Sequence, residues 1–150
     1  MKSPQLFHPI DELRVGGAQT HLVTMLREAL RAYPDVKHRV ISLFGDGPIG
    51  EQLRNLGIGV QVLDLRPLLA RRRFFAAAKV LREVFRAGKP DIVEAHLTWS
   101  RLLGLYAAWR ERVPLRIGFE QGDVYLNSLK FRIANFMGQF CAHRIVVCSQ

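Results

Sequence analysis

Gly16 and Gly17 separate a short apolar segment, residues 6–10, from a stretch in which Ala18, Leu22, Leu26, Ala29, Leu30 and Tyr33 recur at the spacing of one helical face. A glycine pair in that position favours one piece of chemistry. It lets an anion approach the first amides of the helix, which lack partners inside the helix and lie at the positive end of its dipole. A phosphate there gains about 0.3–1 kcal/mol from the dipole, and about 2 kcal/mol when partly buried. A tight strand-to-helix turn is the plain alternative for the same dipeptide.

Two more polar groups stand at the ends of apolar segments. His96 closes residues 92–95, with Glu94 two residues earlier on the same strand face. A histidine in that place can donate to a sugar hydroxyl or stabilise a phosphate, and it ordinarily titrates near neutrality. A histidine satisfied by a neighbouring carbonyl is its structural alternative. Glu120, Gln121 and Asp123 follow the apolar residues 115–119, where they suit recognition of acceptor hydroxyls or, more plainly, a loop cap. His8, His21, His38 and His143 have no ligand spacing with one another, so no metal site is expected, and Cys141 and Cys148 form no Cys-x-x-Cys pair.

Gly45-Asp46-Gly47-Pro48-Ile49-Gly50 matches Gly-x-Gly-x-x-Gly after a strand, with Asp64 at the end of the next strand. Read literally, this is a dinucleotide-binding fingerprint and would make the chain a non-catalytic, Rossmann-like nucleotide-binding module. The helix that follows, expected over residues 51–56, is too short for the usual crossover, so a glycine-rich loop is the preferred reading.

The elements that must position these residues alternate. Strands are expected over residues 6–10, 37–44, 60–65, 92–95, 115–119 and 144–148. Helical faces lie between them, one led by Phe75, Ala78, Leu81, Val84 and Phe85 and closed by Gly88, and another by Leu129, Ile133, Phe136, Met137 and Phe140. Strand-helix alternation with short apolar strands predicts a doubly wound α/β fold: a Rossmann-like parallel sheet with helices on both faces. Ligands of such sheets bind outside the carboxyl ends of the strands, where Gly16, Gly17, His96 and Glu120 fall.

The chain has 150 residues, enough for one core, and 49% of them are hydrophobic. It contains no run of about 18 apolar residues, and no secretory leader is evident, so a cytoplasmic setting with free thiols is expected. The net charge is +9, and between Arg66 and Arg116 twelve lysines and arginines face only Glu83, Asp91, Glu94 and Glu111. Such a surface favours anionic partners. Arg71, Arg72 and Arg73 followed by Phe74 and Phe75 could meet an anionic membrane peripherally, or form a solvated helix start whose phenylalanines belong to the core. Nucleic acid is not expected, because no recognition helix or stacking motif is present.

In order along the chain, four segments resemble the N-terminal domain of the retaining glycosyltransferases of family 4, which have the two-domain GT-B fold. They are Ile10-Asp11-Glu12-Leu13-Arg14-Val15-Gly16-Gly17-Ala18-Gln19-Thr20-His21, Leu53-Arg54-Asn55-Leu56-Gly57-Ile58, Pro90-Asp91-Ile92-Val93-Glu94-Ala95-His96 and Arg144-Ile145-Val146-Val147-Cys148-Ser149. The resemblance implies transfer of a sugar from a nucleotide-sugar donor to a glycan or lipid-linked acceptor, with no metal or other cofactor. Gly16 and Gly17 would then approach the donor diphosphate, His96 would lie on the sugar and phosphate side of the cleft, and Glu120, Gln121 and Asp123 would lie on the acceptor side. Glu94 and Gln121 stand where many members have histidines. The family's nucleotide-binding domain, with its Glu-x7-Glu motif, is not found in these 150 residues. The expectation is therefore one acceptor-side domain over residues 1–150, inactive without a C-terminal domain supplied in cis or in trans.

Overall fold

The computed structural model describes residues 3–120, 132, 136 and 138–147. Strands β1 (Gln5–Ile10), β2 (Lys37–Ser42), β3 (Gly59–Val62), β4 (Ile92–His96), β5 (Leu115–Glu120) and β6 (Arg144–Val147) form one sheet in the order β3-β2-β1-β4-β5-β6, with every pairing parallel. Helices α1 (Gly17–Ala32), α2 (Pro48–Asn55), α3 (Arg66–Ala70), α4 (Phe74–Gly88) and α5 (Leu105–Arg110) connect them, and a π-helical turn, Ser100–Gly104, leads into α5. Gly138, Gln139 and Phe140 are helical, and most of the helix expected over 129–140 lies outside the described residues.

This is the doubly wound arrangement that the alternation predicts. Successive residues of a strand point to opposite faces, and each face has its own core. Phe7 and Val93 pack with Ala77, Ala78, Leu81 and Phe85 of α4 and Ala107 of α5. Ile10 and Val40 pack on the other face with Leu22, Val23 and Leu26 of α1 and Ile49 and Leu53 of α2. Each fully buried leucine or phenylalanine contributes about 1.5–3 kcal/mol of transfer free energy, so the two helix layers hold the sheet from both sides.

Several local expectations change. α2 begins at Pro48, three residues before the expected start, because proline is pre-set for a first helical turn. α3 is an additional short helix where the sequence pattern suggests only a connection. Gly88 is not the left-handed cap of α4; Lys89 takes that conformation, with φ 47°. Gly88 is instead required by packing, since a Cβ there would lie 2.3 Å from Phe7 Cζ.

The order of strands reverses between β1 and β4, the topological switch point at which doubly wound sheets open a crevice above their carboxyl ends. Ile10 and His96 are register partners at that edge, so the loop to Gly16 and the loop after His96 leave the sheet side by side.

Candidate functional site

Asp11 is the first residue after β1, and its carboxylate reaches across the switch point. It accepts the Trp99 N–H at 3.2 Å and the Ser100 N–H at 2.8 Å, and it also meets the Ser100 hydroxyl, which lies 2.5 Å from the His96 carbonyl oxygen. Trp99 and Ser100 lie in the first turn of the helical segment after β4, so a residue 88 positions away caps that segment. Burial raises the Asp11 carboxyl above its ordinary range, and the hydrogen bonds from Ser100 and Trp99 oppose that rise. Between β4 and this helix, Leu97 has φ 71°. Such a left-handed backbone at a non-glycine residue costs on the order of 1–3 kcal/mol and persists only where surrounding contacts fix it.

The amino end of α1 carries no comparable cap. Gly16 is extended, with φ −170°; among the described residues no side chain caps the helix, and no acid lies in its first turn. Neither glycine has the positive φ that would make a turn demand it. Among the described residues, a Cβ on Gly17 would meet nothing within 4 Å, whereas one on Gly16 would meet only the movable Gln19 side chain. Gln19 is held back over the loop, its Nε2 donating to the Glu12 carbonyl at 3.2 Å. Local geometry therefore does not account for Gly17, and the helix end is open to an anion.

The glycine-rich loop after β2 is different. Its Asp46 carboxylate accepts the Gly47 N–H at 2.8 Å and an Arg54 N–H at 2.6 Å, so negative charge already occupies the start of α2. A Cβ on Gly47 would lie 2.5 Å from the Leu13 carbonyl oxygen, and one on Gly50 would lie 2.0 Å from Asp46 Oδ1. Gly47 is explained by packing against the β1–α1 loop and Gly50 by the Asp46 carboxylate folded over it, which disfavours the nucleotide-binding fingerprint.

His96 lies under the crevice rather than in it. Its side chain is fully buried and stacked on Phe119 with ring centroids 4.7 Å apart, and neither ring nitrogen has a hydrogen-bond partner among the described residues. Burial, together with His8 and His21, lowers its pKa from 6.5 to about 3. The expected titration near neutrality does not hold, because burial takes from the imidazolium the solvent that would stabilise it. Beside it on the same sheet face, His8 Nδ1 lies 3.2 Å from Glu94 Oε2, and His8 Nε2 lies 3.0 Å from His38 Nδ1. His8, Glu94 and His96 present ligand atoms within 4.8 Å of one another. The sequence already sets Glu94 and His96 on one strand face; parallel pairing of β1 with β4 adds His8 to them.

At the end of β5, Glu120 lies 3.7 Å from the guanidinium of Arg101, a side chain buried in the π-helical turn. Burial lowers the Arg101 pKa, whereas Glu120 and Asp11 raise it. Asp11, Ser100 and Arg101 thus join the strand-end loops; Ser100 ends the stretch after the fourth strand that the sequence marks for attention, whereas the sequence reading missed Asp11 and Arg101. An acid directly after the first strand was the available signal. Gln121, Asp123 and Cys148 lie outside the described residues; Cys141 is a half-buried free thiol.

On the α4–α5 side, Phe75 is 81% exposed and Phe74 stacks on Trp99, beside exposed Arg71, Arg72 and Arg73. The phenylalanines therefore do not belong to the core. No helix among the described residues is long and apolar enough to cross a membrane.

Comparison with known proteins matches this fold. The UDP-GlcNAc 2-epimerase of Methanocaldococcus jannaschii superposes with a TM-score of 0.68 at 12% identity, over 97% of this chain and 39% of that one. MurG of Acinetobacter baumannii gives 0.65 at 13% identity, over 98% and 42%. A further UDP-N-acetylglucosamine 2-epimerase gives 0.64 at 20% identity, over 96% and 42%. The chain spans about two fifths of the length of these structures, and its fold is that of an N-terminal GT-B half. No curated protein matches its sequence. Residues 15–150, from the end of the first loop onward, match Glycosyltransferase Family 4, and the chain belongs to that family.

Proposed function

We propose that the chain is the acceptor-side half of a retaining glycosyltransferase of the hexosyltransferase type, which moves a sugar from a nucleotide-sugar donor to a glycan or lipid-linked acceptor. The observation that carries this reading is the uncapped amino end of α1 at the switch point, with open space over Gly17. When the bond between sugar and diphosphate breaks, negative charge builds on the leaving phosphate. Fixed amides and the dipole of a 16-residue helix stabilise that charge without reorganising. Gly16 and Gly17 take this role because a side chain would fill the space that the phosphate needs.

In this reading His96 acts as an uncharged wall beneath the donor sugar and not as a proton carrier, which accords with its burial. Glu120, Gln121 and Asp123 hold acceptor hydroxyls, and the Arg101 guanidinium at 3.7 Å orients Glu120. No cofactor enters the transfer. Residues 1–150 form one wall of the cleft, and a C-terminal domain in cis or in trans holds the nucleotide, so the chain alone is inactive. Phe74 and Phe75, with the three arginines, support peripheral contact with an anionic membrane on the cytoplasmic face.

The test is to join or mix the chain with a family 4 C-terminal domain and assay sugar transfer from nucleotide sugars, reading the product's anomeric configuration. Retained configuration, found only with both halves present, is expected. Inversion, or full activity of the chain alone, would sink the reading.

A further inference from the structure

We propose that His8, Glu94 and His96 bind a divalent transition-metal ion of the zinc type, pinning β1 to β4 directly beneath the switch point. The three offer two imidazole nitrogens and one carboxylate, a donor set suited to zinc with the fourth position left to water. A tetrahedral zinc with bonds of about 2.0–2.2 Å sets its ligand atoms about 3.3–3.6 Å apart. His8 Nδ1 and Glu94 Oε2 are at 3.2 Å, close to that spacing. No separation within the trio exceeds 4.8 Å, so the others close by at most about 1.5 Å.

Two independent observations point to a ligand here. The first is the idle His96 ring, fully buried with both nitrogens lacking a hydrogen-bond partner among the described residues. Buried polar atoms are left unsatisfied rarely, and each one costs stability unless something occupies it. The second is the arrangement behind His8. A metal-bound histidine commonly donates its other ring N–H to an acceptor that fixes tautomer and orientation. With Nδ1 toward the ion, His8 presents Nε2 to His38 Nδ1 at 3.0 Å, which fills that place. Two neutral imidazoles and one carboxylate also leave a divalent ion's charge partly balanced in a buried setting, with Glu94 still 15% exposed as the side from which an ion enters.

The ion would hold the Ile10 and His96 ends of the two strands in register, and so fix the loops that carry Asp11 and Ser100. The ion holds the strands beneath the wall that His96 gives the donor sugar, and its test does not depend on sugar transfer. The full chain is stripped with a chelator and titrated with Zn²⁺ by calorimetry and with Co²⁺ by visible absorption. One ion per chain, a rise in Tm and the intense d–d bands of four-coordinate Co²⁺ are expected. Glu94→Gln, which keeps volume and folding, should abolish saturable binding, and His38→Asn should weaken it by about 10–100-fold, as expected for an orienting partner. Because His96→Ala opens a cavity, it is scored only if its circular dichroism matches the wild type, and it too should lose the ion. Binding that is absent in the wild type, or unchanged in Glu94→Gln, or removed instead by His143→Ala at the surface, would overturn the proposal.

Discussion

The Asp11 carboxylate accepts the Ser100 backbone N–H at 2.8 Å, and with it the structure ties the end of β1 to the helix after β4. Removing this acceptor takes the Asp11 carboxylate away from the Trp99 and Ser100 amides and the Ser100 hydroxyl, close to the strained Leu97. Asp11→Ala should therefore destabilise the chain by about 1–3 kcal/mol in urea unfolding, the cost of removing a buried hydrogen-bond acceptor. Asp11→Asn keeps one carbonyl acceptor and should lose less. The sign of the pH effect follows from the raised carboxyl. As pH rises from 3.8 toward the higher folded pKa, the unfolded chain releases its proton first, so this residue's contribution falls with rising pH. In Asp11→Asn that component should vanish.

His96, buried, and His38, half-buried, give the opposite sign. The pKa of His96 falls from 6.5 to about 3 and that of His38 to about 4, so below pH 6.5 the unfolded chain takes up protons that the folded chain refuses. Stability should be level above pH 6.5 and decline as pH falls, with a steepness of up to about 1.4 kcal/mol per pH unit from His96 alone. Urea midpoints measured in the presence of a chelator across this range check the prediction. His96→Asn should flatten the slope, and an unchanged slope would show that the ring is solvated.

How much of this was legible in the sequence depends on the range of the interaction concerned. The alternation that gives six strands is a local pattern, and it locates β1 and β4 with their polar ends. The partnership of Asp11 with Ser100 and of His8 with Glu94 depends on which strands become neighbours, and no spacing within one segment encodes that. Gly47 and Gly88 carry a different lesson: a glycine in sequence looks like a turn, yet both are present because another group approaches closely, the Leu13 carbonyl and the Phe7 ring. The exposed Phe75 shows that an apolar residue in a helical stripe need not face the core.

The end of α4 offers a clean pair of substitutions. Gly88→Ala places a methyl group 2.3 Å from Phe7 Cζ and should destabilise by about 1–3 kcal/mol, because the ring must move within a packed layer. Lys89→Gly relieves a left-handed backbone at φ 47° and should stabilise by about 1 kcal/mol. Thermal unfolding of the two variants should therefore shift in opposite directions. If both shifted downward, the lysine would be held by contacts of its own side chain.

The glycines at the two loops separate folding from function. Gly47→Ala drives a methyl group against the Leu13 backbone, which cannot swing aside, so a loss of about 1–3 kcal/mol is expected before any ligand is considered. Gly17→Trp projects into open space at the first position of α1 and should change unfolding free energy by no more than about 0.5 kcal/mol. If the donor diphosphate rests on those amides, the same tryptophan occupies its place. Transfer in the reconstituted enzyme should then fall at least about 100-fold, the size of effect seen when one fixed donor to a developing charge is lost. Full activity in a normally folded Gly17→Trp chain would mean that the phosphate is held elsewhere, and that the bare end of α1 serves only to begin the helix.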